Sequence, residues 1–483
     1  MKKFLVIAVL AGFAASAMAD NVSLTTARQV GATFFTAATG AKAAVPADKL
    51  ELAQQLDNPT LCIPALYCFN VEGDGFVVVS GSDNVEPILA YSPDGRIDAD
   101  HINPSAQMFL DEYAQFITYC QNNAGSKATA SADAQAVQRE WQSLLDGSYT
   151  CDITKGGSLI QTKWGQGDTD NPTYNICCPM VNGKHCITGC GPIAMAMVVH
   201  YWKYPVKGSG TAALSWNNQT VSYNFRADSN RFAYDSMPKS LKSSSQYYQK
   251  NAIGKLAFAC GVVMKASWGL DGTSVTRQYL ENGMEKYFLY DDELQYLERS
   301  NYNDTRWIAL LHENIDSNLR PVYYAAYAPG STGRDAGHAF VLCGSSSTSE
   351  NKFYVNWGWD GGSNGYFTFS PASSIESASG YRFTNNHGMV NAMHPIESPE
   401  GIEQAVGFEE TPVYPNPASE YVIIPAYDLA NNAPLAVYSL DGRLIDRAIV
   451  PAHSHEYRLD LQGYAAGTYF YRLNGHAVRF VVK

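Results

Sequence analysis

Apolar positions recur at helical spacing from Ala27 to Ala38 and again around Met108 to Tyr119. Between them, Gly75-Phe76-Val77-Val78-Val79 reads as a buried strand. The pattern dissolves in the polar stretch Asn122 to Asp133, and Asp146 to Gly157, with Gly147, Lys155, Gly156 and Gly157, reads as an exposed connector open to proteolysis. These signals bound a first unit at residues 20–150. A second unit, 151–395, mixes one strong apolar helix signal at Ile193 to Val199 with several glycine-bounded strands, which predicts an α+β domain. The acidic run Glu397-Ser398-Pro399-Glu400-Gly401 opens a linker over 396–411. Residues 412–483 then alternate as short strands: Tyr421 to Ile424, Leu435 to Tyr438, Leu444-Ile445, Thr468 to Tyr471 and Val478 to Val482, with Asp441-Gly442 as a hairpin turn. This third unit reads as a small all-β sandwich without cysteine or a clustered acid-base set, so it has no chemistry of its own.

The N-terminus sets the compartment. Lys2 and Lys3 precede an apolar run from Phe4 to Ala17 and the small-x-small pattern Ala17-Met18-Ala19, the signature of a signal peptide over 1–19. The run falls short of the roughly 20 residues that span a bilayer, and no later segment reaches that length, so a secreted protein without a transmembrane segment is expected. Against 34 Lys and Arg stand 46 Asp and Glu, a net charge of -12 that repels phosphate backbones and anionic lipid, so nucleic acid is not expected as a partner. The 31 Tyr and 39 Gly favour strands and turns. The ten cysteines show no paired CxxC spacing. Cys177, Cys178, His185, Cys186 and Cys190 cluster in sequence as zinc ligands do, but without the paired spacing neither a metal nor another cofactor is expected.

Within the second unit, Thr188-Gly189-Cys190-Gly191-Pro192 runs directly into the apolar helix, with Pro192 read as its first residue. A thiol at a helix N-terminus sees unpaired N–H groups and the positive dipole end, which lower its pKa, and flanking glycines admit a substrate backbone. Cys190 is therefore a candidate nucleophile, although a buried cysteine beside a tight turn would look the same in this window alone. A base must come from elsewhere, and Gly337-His338-Ala339-Phe340-Val341 places a histidine at the start of an apolar strand 148 residues on. Taken alone, His338 would read as a satisfied core histidine; paired with Cys190 it reads as the base. Phe353-Tyr354-Val355-Asn356-Trp357 reads as the hairpin partner of that strand, with Asn356 orienting the imidazole and Trp357 shielding the contact from water. Upstream, Trp164-Gly165-Gln166-Gly167 offers Gln166 as a side-chain oxyanion donor.

These four segments resemble the streptopain family of papain-like cysteine proteases, peptidase family C10. The likeness rests on Thr188-Gly189-Cys190, Gly337 to Val341, Val355 to Trp359, and Gln166-Gly167 ahead of Asn171-Pro172-Thr173-Tyr174-Asn175. Phe76 to Gly81 and Ile88 to Ser92 are similar to that family's inhibitory propeptide. The resemblance implies a papain-like catalytic domain at 151–395, an α+β propeptide at 20–150 that inhibits it until removed, and Gly337 and Ser274 as substrate-binding residues. Two departures stand out: Cys177 and Cys178 lie beside the active loop, where a local disulfide is conceivable, and Trp268 to Ser274 aligns only loosely with the substrate loop. Tyr414-Pro415-Asn416-Pro417-Ala418, Leu440-Asp441-Gly442, Gly467-Thr468-Tyr469 and the terminal Phe480-Val481-Val482-Lys483 resemble a type IX secretion sorting domain, which implies the type IX machinery as a partner and a destination outside the cell or on its surface.

The expected activity is that of a secreted endopeptidase made as a zymogen, with protein or peptide substrates and its own propeptide as inhibitor. The same dyad could serve an amidase acting on cell-wall peptides, and a chain with an ordinary thiol at Cys190 would fit a surface adhesin. No HExxH or GxxxxGK[ST] motif is present, and Gly361-Gly362-Ser363-Asn364-Gly365, a formal GxSxG, reads as a hairpin loop.

Overall fold

The structure, a computed structural model of the chain, describes residues 21–41, 43–126, 132–151, 158–327, 337–375, 387–396, 413–426, 429, 432–439, 444–473 and 476–483. The expected signal peptide, the linker beyond 396, the second half of the glycine-rich connector and the Asp441-Gly442 turn lie outside the described residues. In the first unit, α1 (Leu24–Thr39) starts where the Ser23 hydroxyl accepts from the Thr26 N–H. Four strands follow: β1 (Leu50–Asn58), β2 (Ile63–Val71), β3 (Phe76–Ser80) and β4 (Ile88–Ser92). Next, α2 (Pro104–Asn122) opens with Pro104 behind an Asn103 cap that accepts from the Ala106 N–H. The last helix of the unit, α3 (Ala132–Asp146), falls in a stretch whose polar composition hides it. It is held by one inward stripe, Ala134, Val137, Trp141 and Leu144. That stripe joins α1 on one face of the β1–β4 meander, and α2 covers the other.

The second unit contains β5 (Met180–Val181), β6 (Lys184–His185), α4 (Cys190–Trp202), β7 (Thr211–Trp216), β8 (Gln219–Asn224), α5 (Tyr247–Val263), α6 (Leu280–Phe288), β9 (Gln295–Glu298), α7 (Asp304–His312), β10 (Val322–Tyr327), β11 (Gly337–Ser345), β12 (Lys352–Asn356), β13 (Gly365–Thr368) and β14 (Gly388–Asn391). This is the expected α+β mixture. From Gly191 to Val199 every residue of α4 is buried, as a helix apolar on all sides must be. Along β11 the side chains alternate. Ala339, Val341 and Cys343 pack with α4 and α5, whereas Phe340 and Leu342 pack with α2 and α7.

The two units share one antiparallel sheet in the order β1-β2-β3-β4-β13-β12-β11-β10-β14-β9. The junction is short: Tyr91 faces Tyr366 and Ala90 faces Phe367. The two tyrosine rings stack with centroids 4.9 Å apart. Gly365 lets the backbones meet, since a Cβ there would lie 2.7 Å from the Tyr91 carbonyl oxygen. Beside the junction, Phe109 of α2 is fully buried among second-unit rings, its centroid 5.3 Å from Trp357, 5.6 Å from Phe340 and 5.2 Å from Phe369. Two buried ion pairs also cross the boundary: Lys352 Nζ to Glu86 Oε1 at 3.5 Å and His387 Nε2 to Glu112 Oε2 at 3.2 Å.

In the third unit, β15 (Tyr421–Pro425), β16 (Ala433–Ser439), β17 (Leu444–Val450), β18 (Glu456–Asp460), β19 (Gly467–Leu473) and β20 (His476–Val482) form the expected sandwich. A β15-β18 pair packs on a β17-β16-β19-β20 sheet around Val422, Ile424, Leu435, Val437 and Phe480. Among the described residues no helix is long and apolar enough to cross a membrane.

Removing the Phe109 ring should cost about 3–5 kcal/mol of packing. Phe109→Ala is therefore expected to raise amide hydrogen exchange in β4 and β13 while leaving β15 to β20 at their native rates. Unchanged protection at the junction would show that this ring does not hold the two units together.

Candidate active site

Cys190 is the first residue of α4, and Gly189 is its N-cap with φ 88°. A side chain at Gly189 would be strained by that φ and would also run into Thr273, whose Cβ would be 2.7 Å from the new carbon. Pro192 is the third helical residue rather than the first, still within the turn whose N–H groups have no helical acceptor. The approach to the helix is held from two sides. Thr273 donates its hydroxyl to the Ile187 carbonyl at 2.7 Å, and the Thr188 N–H donates to the Gln166 carbonyl at 2.9 Å.

That second bond anchors Gln166 two residues from the thiol. The Gln166 side chain is 8% exposed, and its amide nitrogen is buried without a hydrogen-bond partner. A buried amide donor left unpaired is costly in a folded chain and suits a group that is to receive charge from a ligand. The loop keeps its shape through Asn175, fully buried, whose amide nitrogen donates to the carbonyls of Asp168 at 2.9 Å and Cys186 at 3.2 Å. Within the Asn171 to Asn175 segment nothing marks this role in the sequence, because a buried side-chain bond to two distant carbonyls has no signature in residue spacing.

The electrostatics of Cys190 depart from expectation. Burial pushes its thiol up, and the backbone N–H groups of Ala339, Gly191 and Cys190 only partly offset this by favouring the thiolate. Burial also holds the His338 imidazole below its usual value. Cys190 and His338 share no hydrogen bond. On β11, His338 lies opposite Ala326 of β10, and strand alternation puts it on the face of Phe340, whereas Ala339 approaches the sulfur. The structure thus ties the Gln166 backbone two residues from the thiol and forms no hydrogen bond between Cys190 and His338.

The expected orienting contact is also unmade. Asn356 pairs across from Val341, three residues beyond His338 and on the α4 face. Its amide nitrogen donates to the Thr162 carbonyl at 2.6 Å and its oxygen accepts from the Gly358 N–H at 3.2 Å. Here Asn356 braces the segment entering the Gln166 loop. Trp357 does lie on the His338 face, fully buried, with Nε1 donating to the Ser363 carbonyl at 2.9 Å and its ring 4.7 Å from Phe340. Gly337 opens β11, packed so closely on the Tyr327 ring that a Cβ would come within 2.5 Å of it. Ser274 is exposed on the loop that holds Gly189, its backbone paired with Ser267.

All ten cysteines are free, so the local disulfide considered for Cys177 and Cys178 does not form in this structure. Cys178 Sγ is 3.8 Å from the Thr188 hydroxyl, Cys177 Sγ is 3.6 Å from Asn251 Oδ1, and His185 Nδ1 donates to the Cys178 carbonyl at 3.0 Å. Cys177, Cys178 and His185 therefore each have a protein partner in the folded chain.

Comparison with known proteins accounts for each unit. Residues 164–367 match the Peptidase C10 family, residues 19–117 the Spi protease inhibitor, and residues 412–483 the secretion system C-terminal sorting domain. Streptopain of Streptococcus pyogenes is 29% identical over 346 residues, covering 68% of this chain and 79% of its own. The thiol protease/hemagglutinin PrtT of Porphyromonas gingivalis is 23% identical over 332 residues, 68% of this chain and 36% of that protein. The fold is similar to that of a mutant prointerpain A fragment from Prevotella intermedia, with a TM-score of 0.53 at 23% identity over 71% of this chain and 98% of the fragment. The catalytic region thus matches the peptidase C10 family, and the chain is a cysteine peptidase with a match to a protease inhibitor before that region and a C-terminal sorting domain that sends it to the cell exterior or surface.

Proposed function

We propose that the chain is the zymogen of a secreted endopeptidase in which Cys190 and His338 hydrolyse peptide bonds. In this reading residues 1–19 are a signal peptide, 20–150 the inhibitory propeptide, 151–395 the catalytic domain, and 412–483 the passenger signal read by the type IX machinery. The observation that carries it is a cysteine at the N-terminus of α4, whose first N–H groups have no helical acceptor, with the Gln166 loop bonded two residues away through the Thr188 N–H and the Gln166 amide nitrogen buried and unpartnered. Donors gathered where no resident acceptor takes them are what a tetrahedral oxyanion needs.

In the active enzyme the Cys190 thiolate attacks the scissile carbonyl carbon, forming a C–S bond while the carbonyl electrons move onto oxygen. Gln166 and the Cys190 N–H hold that oxygen. The His338 imidazolium gives its proton to the leaving amine, the C–N bond breaks, and water then releases the acid from the thioester with His338 as base. Asn356 and Trp357 fix and shield the ring once it faces the thiol, and Gly337 and Ser274 line the substrate path.

The zymogen holds these groups in the wrong charge state. Burial raises Cys190 and lowers His338, so both shifts favour the uncharged thiol and uncharged imidazole through the neutral range. Activation must turn His338 toward the sulfur, where thiolate and imidazolium stabilise each other.

Three outcomes are expected. Cys190→Ala should abolish casein cleavage and self-processing within residues 147–157, whereas release of cell-wall peptides without casein cleavage would replace the protease with the amidase. Gln166→Ala should fold normally and retain activity reduced about 10²- to 10³-fold in kcat; full turnover would remove Gln166 from the mechanism. Iodoacetamide at about pH 6, where only a thiol of depressed pKa reacts well, should label Cys190 in the processed enzyme and leave it unlabelled in the intact chain. Equal labelling before and after processing would refute the latent charge state.

A further inference from the structure

Beyond the last turn of β9 and β14 the two chain segments continue side by side. The Asp291 N–H donates to the His394 carbonyl at 3.0 Å, and Tyr290 bridges to Pro395. This brings Asp291, Glu293 and His394 together, with one ligand atom from each lying within 4.8 Å of the others. It is the sole such gathering of three among the described residues. It lies at the β9 edge of the sheet, whereas the thiol site is at the N-terminus of α4 and its histidine on β11.

His394 is the informative member. It is 5% exposed, and its Nδ1 lies 2.9 Å from the Pro395 carbonyl oxygen, an acceptor that requires the proton on Nδ1. In the neutral ring the Nε2 lone pair is then free, and Nε2 is buried without a hydrogen-bond partner. It points instead at a carboxylate, 3.7 Å from Glu293 Oε2. Two acceptors facing each other repel unless a positive charge sits between them.

We infer that Asp291, Glu293 and His394 form a binding site for a divalent transition-metal ion, with Zn²⁺ as the occupant. One imidazole nitrogen and two carboxylate oxygens are an ordinary ligand set for this ion. Ligand atoms about 2.0–2.1 Å from a tetrahedral Zn²⁺ stand roughly 3.3–3.4 Å apart, so the 3.7 Å between Nε2 and Oε2 needs only a few tenths of an ångström of closure. The Pro395 carbonyl on Nδ1–H is the kind of outer contact that fixes the tautomer of a metal-bound histidine. Glu293 also borders a cavity of about 340 Å³ with Glu313, Asn314 and Arg320, from which water can fill the fourth position. Around the site the carboxylates of Asp291, Glu293 and Glu313 outnumber the Arg320 guanidinium, which suits a doubly charged guest. The ion would tie residues 390–396, the last of the catalytic unit, to the β9 edge of the sheet.

Titration of the full chain with Co²⁺, read by visible absorption, tests this and separates it from binding at the ten thiols, because thiolate ligands add an intense charge-transfer band in the near ultraviolet. Expected is one Co²⁺ held with weak nitrogen- and oxygen-type bands, displaced by one equivalent of Zn²⁺ and accompanied by a rise in Tm. His394→Ala should abolish that spectrum. Glu293→Gln, at an exposed position whose substitution leaves the fold intact, should weaken binding at least tenfold. Absence of those bands, bands arising from thiolate ligation alone, or equal affinity in Glu293→Gln would overturn the assignment and leave a His394–Glu293 ion pair in its place.

Discussion

The structure depends on a sheet that does not stop at the boundary between inhibitor and enzyme. β4 and β13 meet edge to edge, and an edge strand left unpaired exposes a row of N–H and C=O groups that must find partners. Each unit therefore satisfies the other's open edge. Only two residue pairs form that ladder, so it is too short to hold by hydrogen bonds alone. The Phe109 ring and the stacked tyrosines supply the apolar burial that makes so short a junction persist.

This arrangement links the interface to the chemistry through strand alternation. The face of β11 that carries Phe340 toward the inhibitor helix is the face on which His338 falls, and the opposite face carries Ala339 toward Cys190. Trp357 touches both Phe109 and Phe340, so the ring expected to shield an active histidine is part of the packing that docks the inhibitor. Latency in this reading needs no blocked cleft; it needs only that a strand end and one tryptophan be held in the inhibitor-bound arrangement.

Much of this was legible in the sequence because it depends on local rules. A glycine-flanked cysteine running into an apolar helix, a histidine opening an apolar strand, and a Trp-rich hairpin partner each arose where spacing predicted, and α1, β3 and α2 followed from periodicity. What escaped depends on tertiary context. The α3 helix is amphipathic on a stripe too sparse for its polar composition to betray. Strand pairing suggests Asn356 as the partner of the imidazole, whereas its register in this structure lies three residues along, where its amide bonds to Thr162 and Gly358. The thiol pKa was read from the helix terminus, a local effect, whereas burial, a property of the whole fold, decides its sign. The gathering of Asp291, Glu293 and His394 joins residues a hundred positions apart and had no sequence signal.

The buried ion pairs bear on how such a zymogen opens. Glu86–Lys352 and Glu112–His387 each place one partner in the inhibitor and one in the catalytic unit. A buried ion pair such as Glu86–Lys352 adds little net stability because desolvation offsets most of its attraction, but losing one partner strands the other charge in an apolar surrounding at a cost of about 3–5 kcal/mol. A cut in the connector between 147 and 157 removes neither partner. The clipped inhibitor would remain docked by the same rings, edge and charges, and the catalytic face would become free only when the inhibitor is digested or departs as a unit. At that point Lys352 and His387 must be hydrated and the Phe340, Trp357 and Phe367 surface must repack. In the proposed zymogen, the energy of latency is therefore stored in an interface that cleavage does not itself destroy, which makes removal of the inhibitor, rather than scission of the connector, the committing step.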